Sequence, residues 1–111
     1  MAAELRFEHY VVDAHPPAAD QGYLDVCALG DLDGDGRVDI VVGSQESEGL
    51  VWYHNPDWGR YQIGAGEFTT DAETADVNGD GRIEIIASCL QRDQIEWYEH
   101  RGDPFRPEGW Q

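Results

Sequence analysis

Basic residues are scarce in this chain: seven Lys and Arg stand against 23 Asp and Glu, and the formal net charge is -16 at pH 7. A surface of that sign repels phosphate groups, which argues against nucleic acids and anionic membranes as partners. Apolar residues never form the run of about 18 that a membrane-spanning helix needs. The first residues also lack the apolar core of a signal peptide, so we expect either a cytosolic chain or a signal outside this sequence.

Cysteine is nearly absent as well. Cys27 and Cys89 are too few for a disulfide framework. Cys27 lies in a candidate inner strand, where we expect a small buried hydrophobic residue. Cys89 follows a strand end, so we expect it to be more exposed. A bridge between them would join two different units of the chain, and no sequence feature supports one.

Recognisable groupings of catalytic residues are missing. The four histidines, His9, His15, His54 and His100, show no paired metal spacing, and the sequence contains no Ser-His-Asp grouping and no phosphate-binding Gly loop. His54 and His100 follow a Trp-Tyr pair at nearly equivalent positions, which is typical of strand ends rather than of a general base. We therefore expect no catalytic residue and no enzymatic activity in this chain.

One nine-residue pattern occurs twice, at residues 31–39 and again 45 residues later at 76–84. Each copy places oxygen-bearing side chains at positions 1, 3, 5 and 9 around a Gly-rich bend, and this density of oxygen is what Ca2+ requires. We predict one Ca2+ per loop. The predicted ligands are Asp31, Asp33, Asp35, the backbone carbonyl of Arg37 and Asp39 in the first loop, and Asp76, Asn78, Asp80, the backbone carbonyl of Arg82 and Glu84 in the second.

An EF-hand begins in a similar way but needs a bidentate Glu at position 12 and a helix on each side. Position 12 is Val42 in the first copy and Ala87 in the second. The residues after each loop form short runs rich in β-branched side chains, which favour buried strands. The pattern is therefore a metal loop that leads directly into a strand.

The repeat continues beyond the loops, because a shift of 45 residues also matches Trp52 with Trp97 and Tyr53 with Tyr98. This period is typical of propeller blades. We predict a single unit over residues 1–111, with a first blade at 25–64 and a second at 70–111. Segment 6–13 alternates like an edge strand and is expected to supply, from within residues 1–13, the outer strand of the second blade. The predicted strands are 25–30, 38–43, 49–54 and 60–63 in the first blade, and 70–75, 83–88 and 94–100 in the second.

These motifs resemble the FG-GAP or VCBS repeat family of calcium-binding β-propellers, the integrin-α-like class, whose loop Asp-x-Asp-Gly-Asp-Gly-x-x-Asp-Ile-Val-Val lies between the first two strands of each blade. Residues 50–56 are similar to the third-strand motif of the secreted, VCBS-type branch. The resemblance covers roughly residues 7–100 and implies an all-β fold of two four-stranded antiparallel blades. Asn78 and Glu84 depart from the family's Asp, which implies a weaker or more water-dependent second site. Calcium sites of this kind favour an extracellular or periplasmic setting.

Two blades cannot close a propeller, which typically has four to eight. We expect copies of the chain to form a ring of four, six or eight blades, as a dimer, a trimer or a tetramer, with the trimer and tetramer favoured. In this arrangement the strand at residues 7–12 of one copy completes the blade that ends near residues 97–100 of the next, or of its own chain.

Aromatic residues separate the function classes that remain. Trp52 and Trp97 recur in register and are expected to pack between blades, whereas Trp58 and Trp110 lie in turn-rich segments and are candidates for ligand contact or for capping an interface. We favour a Ca2+-stabilised propeller module that binds a glycan, as a lectin does, or a protein. The alternative is a fragment of a secreted polysaccharide lyase, dehydratase or hydrolase whose catalytic residues lie outside this sequence.

Overall fold

The computed structural model describes residues 4–17, 24–45 and 48–111. These residues contain seven β-strands and one short 3-10 helix, and the seven strands predicted for the two blades are confirmed to within two residues. No helix in this part of the chain has the length and apolarity needed to cross a bilayer. The elements are β1 (Leu24–Gly30), β2 (Asp39–Ser44), β3 (Leu50–His54), β4 (Gly59–Gly64), β5 (Phe68–Ala75), β6 (Glu84–Cys89), β7 (Gln94–Tyr98) and the 3-10 helix Pro107–Gly109.

The strands form two antiparallel sheets in chain order, β1-β2-β3-β4 and β5-β6-β7. Val41 of β2 lies opposite Trp52 of β3, and Ile86 of β6 lies opposite Trp97 of β7. These pairs are separated by the same 45-residue shift as the loops, so the two sheets are copies of one structural unit. The predicted all-β fold with two antiparallel blades is confirmed, with four strands in the first blade and three in the second.

The main core lies between the two blades, because alternate residues of each sheet point toward the other sheet. The innermost strands β1 and β5 lie side by side, and the Thr74 hydroxyl donates a hydrogen bond to the Leu29 carbonyl. A side chain at Gly30 would meet Thr74 Oγ1 at 2.7 Å, so only glycine fits at this crossing. The buried members of this core are Val26, Ala28, Leu32, Val41, Leu50, Trp52, Ile63, Phe68, Ala72, Ile85, Ala87, Cys89 and Trp110.

The C-terminal segment folds back over the gap between the blades. Glu99 and Gln111 exchange two backbone hydrogen bonds of 2.9 and 2.8 Å. The indole N–H groups of Trp52 and Trp110 both donate to the carbonyl of Pro104, at 3.1 and 2.9 Å. Along Gln94–Tyr98, however, the outer edge of β7 pairs with no strand of the described residues.

The N-terminal segment differs from the prediction, because its described residues, 4–17, form no strand in this chain. Val12 packs instead on the outward face of the first blade, beside Val42 and Tyr53. Asp13 accepts hydrogen bonds from the Tyr53 hydroxyl at 2.8 Å and from Arg60 Nη1 at 2.9 Å. These contacts hold the segment on the first blade, so no part of residues 4–17 completes the edge of β7 within this chain.

The prediction for the cysteines is wrong on both counts. Cys27 is exposed and Cys89 is buried, and both are free thiols. In β1 the neighbours Val26 and Ala28 point into the core, so Cys27 points to the outward face of the blade. Cys89 is the last residue of β6 and lies on the core side, with 1% of its surface exposed.

Candidate metal sites in the two loops

The first loop winds around the carboxylate of Asp31. Asp31 Oδ1 accepts hydrogen bonds from the backbone N–H groups of Gly34 at 2.9 Å and Asp35 at 3.2 Å, and Oδ2 accepts one from Gly36 at 2.8 Å. Gly34 and Gly36 have φ angles of 77° and 86°. Side chains strain such a backbone, so glycine is required at both positions.

The second loop repeats this geometry around Asp76. Its carboxylate accepts hydrogen bonds from the N–H groups of Gly79 at 2.8 Å, Asp80 at 3.1 Å and Gly81 at 2.9 Å. The two glycines have φ angles of 76° and 87°. Position 1 of each loop therefore organises the backbone while its carboxylate remains part of the acidic cluster.

The loops bring their acids together as the spacing predicts. One oxygen from each of Asp31, Asp33 and Asp39 lies within 4.8 Å of the other two, and Asp76, Asp80 and Glu84 form the matching group in the second loop. Both groups could hold a metal ion. Carboxylates crowded in this way repel one another, and a bound cation relieves that repulsion.

The pKa values of the carboxyl groups in the first loop are shifted in different directions. Burial raises the pKa of Asp39, although its two oxygens accept hydrogen bonds from the N–H groups of Leu32 and Asn55, both at 2.9 Å. Burial also raises the pKa of Asp33, and the charges of Asp39 and Asp35 add to this effect. The hydrogen bond from the Arg37 N–H lowers the pKa of Asp35. Two of the four carboxylates are therefore destabilised in their charged form, which is the form that binds a cation.

Glu84 brings a buried carboxylate to the second loop. Its side chain is buried, with 1% of its surface exposed, and Oε2 accepts a hydrogen bond from the Val77 N–H at 2.7 Å. Its other oxygen, Oε1, is buried without a hydrogen-bond partner among the described residues. A buried carboxylate oxygen normally has a partner. A metal ion held with Asp76 and Asp80 would supply one.

The remaining predicted ligands lie within their loops. Asn78 Oδ1 accepts a hydrogen bond from the Asp80 N–H at 3.0 Å. The N–H groups of Arg37 and Arg82 donate to Asp35 and Asp80, both at 2.8 Å. Both arginines are exposed. Ligation by their backbone carbonyls stays a prediction.

His54 lies against the first loop, a contact that the sequence reasoning missed. Its Nε2 lies 2.9 Å from Asp33 Oδ2 and 3.4 Å from Asp35 Oδ2, and its Nδ1 lies 3.1 Å from Asp57 Oδ1. Burial lowers the pKa of His54, but the hydrogen bond with Asp57 and the nearby carboxylates outweigh burial, so the pKa is raised. Antiparallel pairing could have indicated this contact, since it places the end of β3 beside the start of β2, where the loop ends.

The equivalent position in the second blade is Glu99, 45 residues after His54. Glu99 Oε2 accepts a hydrogen bond from Asn78 Nδ2 at 3.1 Å. Its Oε1 accepts hydrogen bonds from Arg101 Nε at 3.0 Å and Nη2 at 2.6 Å. Asp33 with His54, and Asn78 with Glu99, are therefore one structural contact made by different residue types.

The two tryptophans proposed as ligand contacts have different surroundings. Trp58 is half-buried and packs on the outward face of the first blade, near Val42 and Val51. Trp110 is only 6% exposed and has donated its indole N–H to Pro104, so it is not available to a ligand in this chain. Its position agrees with the alternative role of capping the interface between blades.

Comparison with known proteins identifies the repeat. The family model described as FG-GAP-like repeat matches residues 31–87, which include both acidic loops and more than half of the 111 residues. No curated protein and no solved structure matches the chain. The matched span begins at the first acid of the first loop and ends in β6 of the second blade, so it contains one full repeat period. The chain belongs to the FG-GAP-like repeat family.

Proposed function

We propose that this chain is a Ca2+-binding β-propeller module that assembles with copies of itself into a closed ring and acts as a binding or scaffold module in an extracellular or periplasmic setting. Repeats of this family are generally non-catalytic, and we propose no reaction for this chain. The observation that carries the proposal is a difference in exposure between equivalent positions of two otherwise matching blades.

One face of the first blade is covered, and the same face of the second blade is open. Trp52 is 0% exposed, whereas its equivalent Trp97 is 45% exposed. Leu50 is 0% exposed, whereas its equivalent Ile95 is 80% exposed. The second blade and the C-terminal segment with Phe105 cover this face of the first blade. A third blade in the same relation would cover Ile95 and Trp97.

The opposite face gives the complementary result. Ala72 and Ile85 of the second blade are buried against the first blade, with 4% and 0% of their surfaces exposed. Their equivalents in the first blade are Cys27, which is exposed, and Ile40, which is half-buried. The part of this face that carries Cys27 and Ile40 is uncovered, beside the part that Val12 covers. We propose that it receives the open face of the second blade of another copy. Such a contact is head-to-tail, and it ends in a ring when the rotation closes.

The N-terminal segment supplies a candidate for the missing strand. Its apolar side chains have few contacts: Leu5 is 84% exposed, Phe7 92%, Tyr10 75% and Val11 65%. The edge of β7 needs a strand, and an exposed apolar edge favours pairing with another chain. We propose that residues 7–12 of one copy pair with β7 of the next, in a ring of three or four chains, with two chains as the smaller alternative.

Calcium fits both loops because each offers a cluster of oxygen atoms and no sulfur. Asp39 and Glu84 bring buried carboxylates to the point where each loop meets its strand. The ion would hold the loop against that strand and so fix the ends of the blades. The ligand of the assembled ring is proposed to be a glycan or a protein, and an array of immobilised glycans tests the first class.

The assembly is tested by placing a charge on the open face of the second blade. Ile95→Glu should lower the mass in solution to that of a single chain, because Ile95 would be buried between copies. Leu90→Glu is the matched control for an added charge, since Leu90 is 57% exposed and lies in the turn after β6, outside β7. Light scattering that gives the same mass for Ile95→Glu, Leu90→Glu and the unchanged chain would refute the proposed contact.

A further inference from the structure

The residue at the end of the third strand differs between the two blades. The residue that it faces, at position 3 of the acidic loop, differs as well. In the first blade a histidine, His54, faces Asp33, and in the second a glutamate, Glu99, faces Asn78. The first loop is thus surrounded by carboxylates and one imidazole. The second is surrounded by oxygen ligands only, with one carboxylate moved from the loop to the strand.

The imidazole of His54 is held in one orientation. Because a carboxylate only accepts hydrogen bonds, the 3.1 Å contact with Asp57 Oδ1 requires the proton on Nδ1. Asp57 is itself fixed by the Gly59 N–H at 3.0 Å. The rings of Trp52 and Phe105 pack edge-on against the imidazole, at 5.8 and 5.1 Å between centroids. A carboxylate that orients the far nitrogen of a histidine is the usual support of a metal-binding imidazole.

With Nδ1 occupied in this way, Nε2 faces two carboxylate oxygens, at 2.9 Å from Asp33 and 3.4 Å from Asp35. The positive charge that these three atoms need comes from a proton on Nε2 or from a bound cation that replaces it. Ligand atoms bound at about 2.0–2.2 Å to Zn2+ in tetrahedral geometry lie about 3.3–3.6 Å apart. The 3.4 Å contact with Asp35 has this spacing, and the 2.9 Å contact with Asp33 would open by about 0.4 Å on metal binding. Imidazole nitrogen suits zinc and its neighbours in the transition series, whereas carboxylate and carbonyl oxygens suit calcium and magnesium.

We infer that the two loops differ in metal preference: the first loop also binds a borderline divalent cation of the Zn2+ class through Asp33, Asp35 and His54, while the second loop is restricted to hard cations. This inference builds on the proposed calcium function by assigning a selectivity to each loop. Asp57 acts in it as a positioning residue. Glu99 is paired with Arg101 through Oε1 and accepts the Asn78 hydrogen bond through Oε2, so an oxygen group stands where the first loop has an imidazole.

The test is a competition between Zn2+ and Ca2+ on the full chain. Zinc should displace one calcium equivalent per chain in the unchanged protein, and His54→Asn should weaken zinc binding by about tenfold or more. His9→Asn is the matched control, because His9 is an exposed histidine of the N-terminal segment. The side-chain nitrogen resonances of His54 should shift on zinc addition. Asn78→Asp combined with Glu99→His should create a second zinc equivalent.

The outcomes separate this inference from the proposed function. If calcium binds but zinc affinity is unchanged by His54→Asn, or the His54 nitrogen resonances do not move, then His54 is only an ion-pair partner and the inference is wrong. If zinc binds through His54 but neither loop binds calcium, the calcium proposal fails while the site at His54 stands. Asp57→Asn should weaken zinc binding less than His54→Asn and leave the zinc-dependent shift of His54 detectable.

Discussion

The proposed role of the loops can be tested by removing one charge from each loop while keeping its backbone intact. Asp35 accepts a hydrogen bond from the Arg37 N–H at 2.8 Å, and Asp80 accepts the same bond from Arg82 at 2.8 Å. Asparagine keeps the acceptor oxygen in both cases. Asp35→Asn and Asp80→Asn are therefore matched variants that change the charge of one loop each, and we expect changes of about 0.5 kcal/mol or less in metal-free stability.

The expected effect in calcium follows from binding linkage. A site with free metal at 100 times its dissociation constant contributes about 2.7 kcal/mol, and a 100-fold loss of affinity reduces this to about 0.4 kcal/mol. The entropy of unfolding for 111 residues is about 0.23 kcal/mol per kelvin. Each variant should therefore lose about 10 °C of the calcium-induced rise in melting temperature.

Differential scanning calorimetry in excess calcium and in chelator measures this directly. Both variants should melt close to the unchanged protein in chelator and about 10 °C below it in calcium. An equal calcium-induced rise in all three proteins would refute the assignment of Asp35 and Asp80 as ligands. No calcium-induced rise in the unchanged protein would refute calcium binding itself.

Three further predictions follow from other parts of the fold. Burial opposes ionisation of Asp13, but the hydrogen bonds it accepts outweigh burial and lower its pKa. The stability that ionised Asp13 gives to the contact between segment 4–17 and the first blade should therefore be present above about pH 4 and be lost as the pH falls through the lower pKa of the folded state. Limited proteolysis should cut segment 4–17 faster at low pH. Asp13→Asn should be cut fast already at pH 7. Phe68 is 0% exposed, so Phe68→Ala should cost about 3–5 kcal/mol in urea unfolding, and a cost below 1 kcal/mol would contradict its place in the core. Deleting residues 1–12 should lower the mass in solution, and an unchanged oligomer would exclude strand exchange.

The strands and loops could be predicted because their signals are local and repeated. Each acidic loop is followed at once by a β-branched run, and the 45-residue shift fixes where the third strand lies in both copies. The structure places Trp52 and Trp97 in equivalent registers for the same reason. The local pattern was therefore sufficient to predict the seven strands and to predict that Asp31, Asp33 and Asp39 lie close together.

Predictions failed where alternation alone had to tell which face is covered. Cys27 lies in a strand whose two faces differ only in whether another blade covers them, and the sequence of the strand does not contain that information. The N-terminal segment was expected to pair with β7 of the next copy or of its own chain, and pairing within the chain is wrong for a related reason. Its alternation indicates an extended chain, but its position is set by Asp13, which contacts Tyr53 and Arg60, 40 and 47 residues away in sequence.

To predict the contact of His54 with the first loop, the register of the β2–β3 hairpin must be known in addition to the loop motif. His54 lies 21 residues after Asp33, outside the nine-residue pattern that identified the loop. The repeat aligned it with Glu99 rather than with His100, so its place at the metal loop becomes clear only when both blades are compared. The sequence correctly predicted that His54 ends a strand. It did not indicate that this strand end contacts the first loop.

Native mass spectrometry in calcium tests the central claim most directly, because one spectrum reports both the number of chains and the number of bound ions. The account predicts a closed assembly of three or four chains of 12.4 kDa, with one of two chains as the smaller alternative, carrying two calcium ions per chain. Chelation should remove the ions and weaken the assembly. A folded single chain of 12.4 kDa without bound calcium, at concentrations where rings should form, would contradict it.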